Sequence, residues 1–382
     1  MIFLIIEKKM DKIFNFLARG IPILINDLRA IASAKTPFFI AVPRSIYVDF
    51  GTRCNAFCTM CPIGRENREG KSPKGGELSE ELAIKLLREV RVLSGKGAVV
   101  SLTGGEPLLY QPLYKMMGIA RDLGVCFSFT TNGYLLNEET VEKIARADPF
   151  GIGVSLESLD PTINELMRPY KNGGGTEITV RGIELLLKAK RDFKKNFRVN
   201  IKTVITKVNM SSFPDLVRHF GKESGVLMTP QPYLDDGDPK GAGREKFWIQ
   251  DIARLTAMVD EIIALKQQGY NVCASEDTLK GFIRYFQRGC GGEVASDSHK
   301  GQLSCLIGNT TIFVDATGDI KLCPYMKAVG NLGGEKTLRN LWYGDAAKDL
   351  RRKIKFCTRD CELSCTRNTP LLERFKAFLK SA

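Results

Sequence analysis

The chain has 382 residues, 43% of them hydrophobic, which suits one large domain or a domain of about 200–250 residues with a smaller companion, and excludes a disordered or collagen-like polypeptide. Fifty-six basic against 43 acidic side chains leave a net charge of +13. That balance favours an anionic partner (nucleic acid, a membrane surface, or an acidic or phosphorylated substrate) or else serves solubility alone. No apolar run is long enough to span a bilayer, and the start Met1–Ile6 meets Glu7-Lys8-Lys9 with no cleavage site after it, so neither a transmembrane helix nor a signal peptide is expected. The eleven cysteines are accordingly read as reduced thiols of a cytoplasmic protein.

Phe14, Leu17, Ile21, Leu24, Leu28 and Ile31 recur at three- and four-residue intervals and predict an amphipathic helix pair over 10–32, with Pro22 starting the second helix or kinking the first. The stripe packs on its own domain or, flanked by Lys12, Arg19 and Arg29, rests peripherally on the inner face of a membrane. Residues 1–44 form this N-terminal segment. Ser45–Phe50 alternates as a first strand and is followed by Cys54-x3-Cys58-x2-Cys61 in a looping stretch. Thiolates so spaced converge on one metal or iron–sulfur centre, and three ligands instead of four leave a position open for chemistry.

A Gly-, Arg- and Lys-rich loop covers Ile63–Gly76, and Ser79 caps a helix that buries Leu82, Leu86, Leu87 and Val90. Ala98–Leu102 is a second strand ending in Thr103-Gly104-Gly105-Glu106-Pro107, with a helix running on to Leu123. Val125–Thr130 is a third strand closing on Thr131-Asn132-Gly133, and Asn137 caps a helix to Arg146. Three more strands follow at Gly151–Glu157, Phe197–Thr206 and Val226–Gln231, with helices at Ile178–Arg191, Phe213–Phe220 and Phe247–Gln268. Six strands alternating with helices predict an α/β fold in which right-handed crossovers curl a parallel sheet into a barrel or partial barrel over 45–270. Functional residues then belong at the C-terminal strand ends, where the cysteine loop, Gly-Gly-Glu-Pro and Thr-Asn-Gly all fall.

The rhythm stops near residue 270, and seven of the eleven cysteines lie beyond it. Thr311–Asp315, Ala316–Asp319 and Ile320–Cys323 read as strand, turn and strand, flanked by Cys305 and Cys323; a helix over Leu338–Leu350 precedes Cys357-x3-Cys361-x3-Cys365. Residues 271–382 are expected to form a small α+β domain stapled by a cluster, with a basic C-terminal helix.

C-x3-C-x2-C after the first strand with Gly-Gly-Glu-Pro after the second resembles the radical S-adenosylmethionine superfamily over residues 45–235. The resemblance implies a partial (βα)6 barrel in which Cys54, Cys58 and Cys61 hold a [4Fe–4S] cluster. S-adenosylmethionine chelates the fourth iron, and its reductive cleavage yields a 5′-deoxyadenosyl radical that abstracts hydrogen from a substrate. By position, Gly104, Gly105 and Glu106 would meet the methionyl amino group and Pro107 would fix the turn. Ser155 and Glu157 match positions near the ribose and methionyl carboxylate, and Asn132 and Arg168 are further contacts, each with a purely structural role as the alternative. Met60 stands where the family usually has an aromatic residue. Cys305-x12-Gly318-x4-Cys323, with Gly330-Asn331-Leu332 and Leu338–Trp342, resembles the SPASM and twitch extensions of this superfamily. It implies an auxiliary [4Fe–4S] cluster held by Cys305, Cys323 and two of Cys357, Cys361 and Cys365, Cys290 being a substitute; the absence of a cysteine after Cys365 departs from the SPASM pattern. Cys126 and Cys273 are read as ordinary buried residues.

The resemblance implies a reductant such as flavodoxin or ferredoxin. It does not name the substrate. Basic charge and the apolar start point to an anionic, lipid-linked or phosphorylated molecule. The alternatives are a peptide-modifying maturase, for which only 44 residues precede the barrel to recognise a peptide, and a tRNA-modifying enzyme, which no RNA-binding module supports. A non-catalytic iron–sulfur scaffold would have no use for Gly-Gly-Glu-Pro. His219 and His299 fall in no motif; Asp235, Asp236 and Asp238 are candidate bases or a solvated loop.

Overall fold

A computed structural model of the chain describes residues 40–71, 76–234, 242–288 and 305–357, and the single helical positions Ile25, Leu28, Arg29 and Ala32. The remainder of the helix pair expected over 10–32, and Asp235, Asp236, Asp238, Cys290, Cys361 and Cys365, lie outside the described residues.

The strands are β1 (Ser45–Asp49), β2 (Val99–Thr103), β3 (Cys126–Thr131), β4 (Gly151–Ser155), β5 (Arg198–Ile205) and β6 (Val226–Pro232). Each pairs in parallel with the next. With no reversal of order, right-handed crossovers put every connecting helix on the same side of the sheet. Those helices are α1 (Pro62–Arg68), α2 (Glu80–Ser94), α3 (Leu113–Leu123), α4 (Glu138–Ala147), α5 (Pro161–Met167), α6 (Gly175–Asp192) and α7 (Phe213–Phe220). The result is the expected radical SAM-type partial barrel, with the helices on one face of the curled sheet.

Strand alternation divides the two faces. Ile46, Val48, Val100, Leu102, Phe127, Phe129, Val199 and Ile201 are fully or almost fully buried and join the helices in one apolar core. The alternate positions, among them Ser101, Ser128, Thr130, Ser155, Asn200 and Lys202, are only half-buried and line the inner face.

Local signals hold where side chains cap backbone. Ser79 accepts from the Leu82 N–H and Asn137 from the Thr140 N–H, as expected of N-caps. Several helices escaped the periodicity. α1 occupies the start of the segment read as loop, α5 follows β4 directly, and α10 (Glu276–Arg288) follows the break near 270. The first two are seven residues each, and Pro62 and Pro161 at their first positions are the local signal. The helix expected over Phe247–Gln268 begins only at Ile252, as α9 (Ile252–Gln267), where Asp251 turns its carboxylate back to cap the Arg254 N–H; α8 (Ala242–Phe247) before it is a separate helix that the periodicity did not give. Gly344 likewise divides Leu338–Leu350 into α12 (Leu338–Tyr343) and α13 (Asp345–Lys355), which follow the short α11 (Ile307–Thr310).

The C-terminal strands continue the same sheet. β7 (Thr311–Val314) lies parallel to β1 with Tyr47 opposite Phe313, their rings stacked at 5.5 Å. β8 (Asp319–Lys321) and β9 (Gly330–Asn331) extend the edge in antiparallel fashion. Gly318, at φ +85°, supplies the left-handed residue of the β7–β8 turn. Trp342 of α12 is fully buried, and its indole N–H donates to the Ala41 carbonyl at 3.0 Å, tying this region to the lead-in of β1. No helix among the described residues is long and apolar enough to cross a membrane.

Trp342→Ala should cost about 3–5 kcal/mol in denaturant unfolding, since it opens a large cavity and leaves the Ala41 carbonyl unpaired. Trp342→Phe, which keeps most of the volume, should cost clearly less.

Candidate active site

The cysteine loop is anchored from several directions. Gly105 N–H donates to the Gly51 carbonyl at 2.7 Å and Glu106 N–H to the Arg53 carbonyl at 2.8 Å, so the end of β2 lies directly on the backbone entering the loop. A Cβ on Gly105 would stand 1.9 Å from the Arg53 oxygen, and one on Gly104, where φ is +119°, would stand 2.5 Å from an Asp49 carboxylate oxygen. Only glycine fits either position. Arg53 makes a bidentate pair with Glu77 at 2.7 and 3.0 Å and donates to the Leu109 carbonyl. From the far side, the Asn67 amide of α1 donates to the carbonyls of Cys54 and Ala56, and Gly64 packs against the Cys58 backbone. Thr59 ties the middle of the loop to the Leu166 and Met167 carbonyls at the end of α5.

Cys54, Cys58 and Cys61 thereby share one small apolar cluster with Ala56, Tyr134 and Tyr170. Burial pushes the Cys58 thiol up to about 11 and raises that of Cys54, against the opposing pull of Arg168 on both. Thiolates in such surroundings need a strong local cation, which is what iron supplies, so the donor set fits an iron–sulfur cluster. Among the described residues no three His, Cys, Asp or Glu side chains already stand in chelating geometry.

The other predicted residues surround this loop. The Asn132 amide donates to the Asn55 side chain at 2.7 Å and lies 3.9 Å from the Cys54 sulfur. Glu106 is buried, and its two carboxylate oxygens accept from the backbone N–H groups of Leu108 and Asn132. It therefore fastens the ends of β2 and β3 together, a role not foreseen for the residue expected to meet the methionyl amino group. Burial raises its pKa and the backbone donors oppose that shift. Pro107 opens a short 3-10 turn over Pro107–Leu109. Ser155 ends β4, half-buried on the inner face.

Glu157 and Arg168 form a buried ion pair at 3.3 Å, with the second Glu157 oxygen accepting from the Val204 N–H at 2.7 Å. Burial pushes the Glu157 carboxyl up to about 7 against the pull of Arg168. Burial also opposes the Arg168 cation, but Cys58, Glu157 and Tyr134 together outweigh it and its pKa is raised. The guanidinium thus remains charged beside the cysteine loop. Tyr134, whose hydroxyl donates to the Arg168 carbonyl at 2.8 Å and whose ring packs on Tyr170 at 4.4 Å, went unnoticed in the sequence. Its position directly after Thr-Asn-Gly was the only signal.

A second cysteine group lies at the other region of the sheet. Burial pushes the Cys305 thiol up to about 11 against the opposing backbone N–H of Ile307, and Cys323 and Cys357 add smaller upward contributions, so these three are electrostatic neighbours. Cys305 and Cys323 pack half-buried against the core while Cys357 is exposed. Cys126 and Cys273 are not the buried residues expected: Cys126 is half-buried on the inner face of β3, because its strand parity opposes that of Phe127, and Cys273 is exposed.

Residues 48–220 match the Radical SAM superfamily, and residues 305–366 match an iron–sulfur cluster-binding domain, SPASM. The chain is 26% identical to an AdoMet-dependent heme synthase of Methanosarcina barkeri across 78% of this chain and 82% of that protein. It is 28% identical to the GTP 3′,8-cyclase of Aquifex aeolicus across 79% of this chain and 90% of the cyclase. Among solved structures it shares its fold with Streptococcus suis SuiB bound to a precursor peptide, at TM-score 0.60 and 18% identity, over 86% of this chain and 77% of SuiB. The cofactors follow: a [4Fe–4S] cluster with S-adenosylmethionine, and auxiliary iron–sulfur chemistry in the SPASM region. The chain belongs to the radical SAM superfamily and is an enzyme of the kind that carries a SPASM domain.

Proposed function

We propose that the chain uses Cys54, Cys58 and Cys61 to hold the radical-generating cluster, and that it abstracts hydrogen from an anionic substrate bound on the inner face of the barrel. The observation that supports this most directly is convergence: the cysteine loop, Asn132 and the Glu157–Arg168 pair meet at the C-terminal ends of β1, β3 and β4. The bound cluster and S-adenosylmethionine supply a one-electron cleavage that yields the 5′-deoxyadenosyl radical. The chain's own residues do the positioning. Gly104 and Gly105 bring the backbone at the end of β2 against the loop, where carbonyls of this strand end would accept from the methionyl ammonium. Arg168, paired with Glu157 on one side, would present its guanidinium to the methionyl carboxylate, and Ser155 would offer a hydroxyl to the ribose. The apolar cluster of Ala56, Tyr134 and Tyr170 keeps water from the thiols.

Residues 45–270 would form the catalytic unit and 271–382 the auxiliary one, in which Cys305, Cys323 and Cys357 join Cys361 or Cys365 around a second cluster. A cluster held there would supply a substrate ligand, an electron acceptor or an electron relay, and a flavodoxin or ferredoxin of the cytoplasm would serve as the external donor to the radical-generating cluster. The net charge of +13 supports an anionic substrate, and the names of the heme synthase and the GTP cyclase are compatible with one. A peptide maturase is the second reading, favoured by the shared fold with SuiB.

Anaerobic reconstitution with iron and sulfide, followed by dithionite and S-adenosylmethionine, should release 5′-deoxyadenosine. Cys58→Ala should abolish that release while keeping the visible absorbance of the auxiliary cluster; loss of both would contradict two independent centres. Arg168→Lys should weaken S-adenosylmethionine binding by about tenfold or more, because an ammonium cannot replace a guanidinium fixed on two sides. Equilibrium dialysis checks this, and unchanged affinity would assign Arg168 a structural role.

A further inference from the structure

The inner face of the barrel is polar but nearly free of charge. Ser101 and Ser128 share a hydrogen bond at 2.8 Å, and Thr229 donates to Asn200 at 2.6 Å. Lys202 of β5 stands among them. It sits opposite Ser155 of β4 in the strand register, yet its ammonium reaches back across β4 to the Thr130 hydroxyl on β3, at 2.9 Å. Gly153 makes that crossing possible. A Cβ there would stand 2.9 Å from the Thr130 hydroxyl oxygen and 3.0 Å from the Lys202 Cε. The lysine is thus held one pleat below the strand end, with Arg168 and Asn132 left to the rim.

No carboxylate among the described residues lies within ion-pair range of the Lys202 ammonium, and burial alone drives its pKa down. An enclosed ammonium without a counter-ion is costly, because desolvation is not offset by a partner charge. Exposed lysines of this chain carry no such cost, and Lys143 and Lys188 have carboxylates beside them regardless. A cation with no carboxylate beside it among the described residues, on the polar inner face of the half-barrel, is explained when the anion arrives with the substrate.

We infer that Lys202, with the Thr130 hydroxyl beside it, forms a subsite for a carboxylate or phosphate of the substrate, adjacent to Ser155 on the inner face of the barrel. The inference rests on the reading of this face as the substrate site. Its geometry places the anionic group next to a residue expected to contact the ribose, so the substrate's reacting carbon lies a short distance from its charged group. An ammonium is a compact point charge and imposes no bidentate geometry, so the subsite accepts either oxyanion. The hydroxyl, released from the ammonium or shared with it, donates to the same oxygen atoms.

The test uses the cluster-loaded full chain with S-adenosylmethionine present, titrated with inorganic phosphate or with succinate against chloride at equal ionic strength. Melting temperature and equilibrium binding are read. At least one anion should raise the melting temperature of the wild type, and whichever does so names the source, phosphate or carboxylate. Lys202→Met should melt no lower than the wild type without anion, because it removes, at nearly constant volume, a half-buried charge that no carboxylate among the described residues pairs. It should lose the anion response, with affinity down by about tenfold or more, and Lys202→Arg should restore part of it. Three outcomes would overturn the inference. The wild type shows no response beyond chloride; Lys202→Met responds as the wild type does; or Lys202→Met melts lower and loses S-adenosylmethionine binding, which makes Lys202 an internal or cofactor contact. None depends on turnover, so failure here is separable from failure to form 5′-deoxyadenosine.

Discussion

The close backbone approach between the end of β2 and the exit of β1 is the constraint on which the site depends. Two hydrogen bonds, from Gly105 to Gly51 and from Glu106 to Arg53, join the strand ends where the cysteine loop begins. They form only because the β2 end has no Cβ at Gly104 or Gly105, where any side chain would meet backbone or the Asp49 carboxylate. Glu106 then carries the constraint one strand further by accepting the Asn132 N–H, and Asn132 returns it to the loop through Asn55. The motif residues thus form a continuous chain of contacts around Cys54. A chain of this kind holds thiols in place before a cofactor is bound, and limits how far they must move to meet it.

The same end of the sheet concentrates buried charge. Glu106, Glu157 and Arg168 are all enclosed, and each is satisfied by backbone donors or by its partner. Buried ion pairs are poor sources of stability, since desolvation offsets much of their attraction. Their placement at the strand ends, and nowhere along the apolar face, fits a positioning role. Lys202 differs from the Glu157–Arg168 pair in having a hydroxyl in place of a counter-charge among the described residues.

The two cysteine groups are linked by the sheet itself. β7 pairs with β1, so the region that carries Cys305 and Cys323 is registered residue by residue against the strand that feeds Cys54. Trp342 reinforces this by bonding Ala41 ahead of β1. Motion of one centre relative to the other would have to break strand pairing.

Much was legible in the sequence because it depends on local rules. All six barrel strands fall within two residues of their expected bounds, since burial of one face imposes a period of two and the turns carry their own Gly and Asn signals. The spacing of Cys54, Cys58 and Cys61, and the Gly-Gly-Glu-Pro that follows β2, determined the family. Short helices were illegible: seven residues give α1 and α5 barely two turns of periodicity, and tertiary contacts such as Asn67 to the loop carbonyls are what hold α1. The extension of the sheet by β7 could not be read either, because pairing between residues 45 and 311 leaves no local trace. Nor could the crossing of Lys202 over Gly153. A lysine in a strand and a glycine in its neighbour are unremarkable until the register sets them side by side. Residue types and spacing determined which chemistry the chain can support; only the tertiary structure decided which charges face one another without a partner, because that depends on distances across strands far apart in the chain.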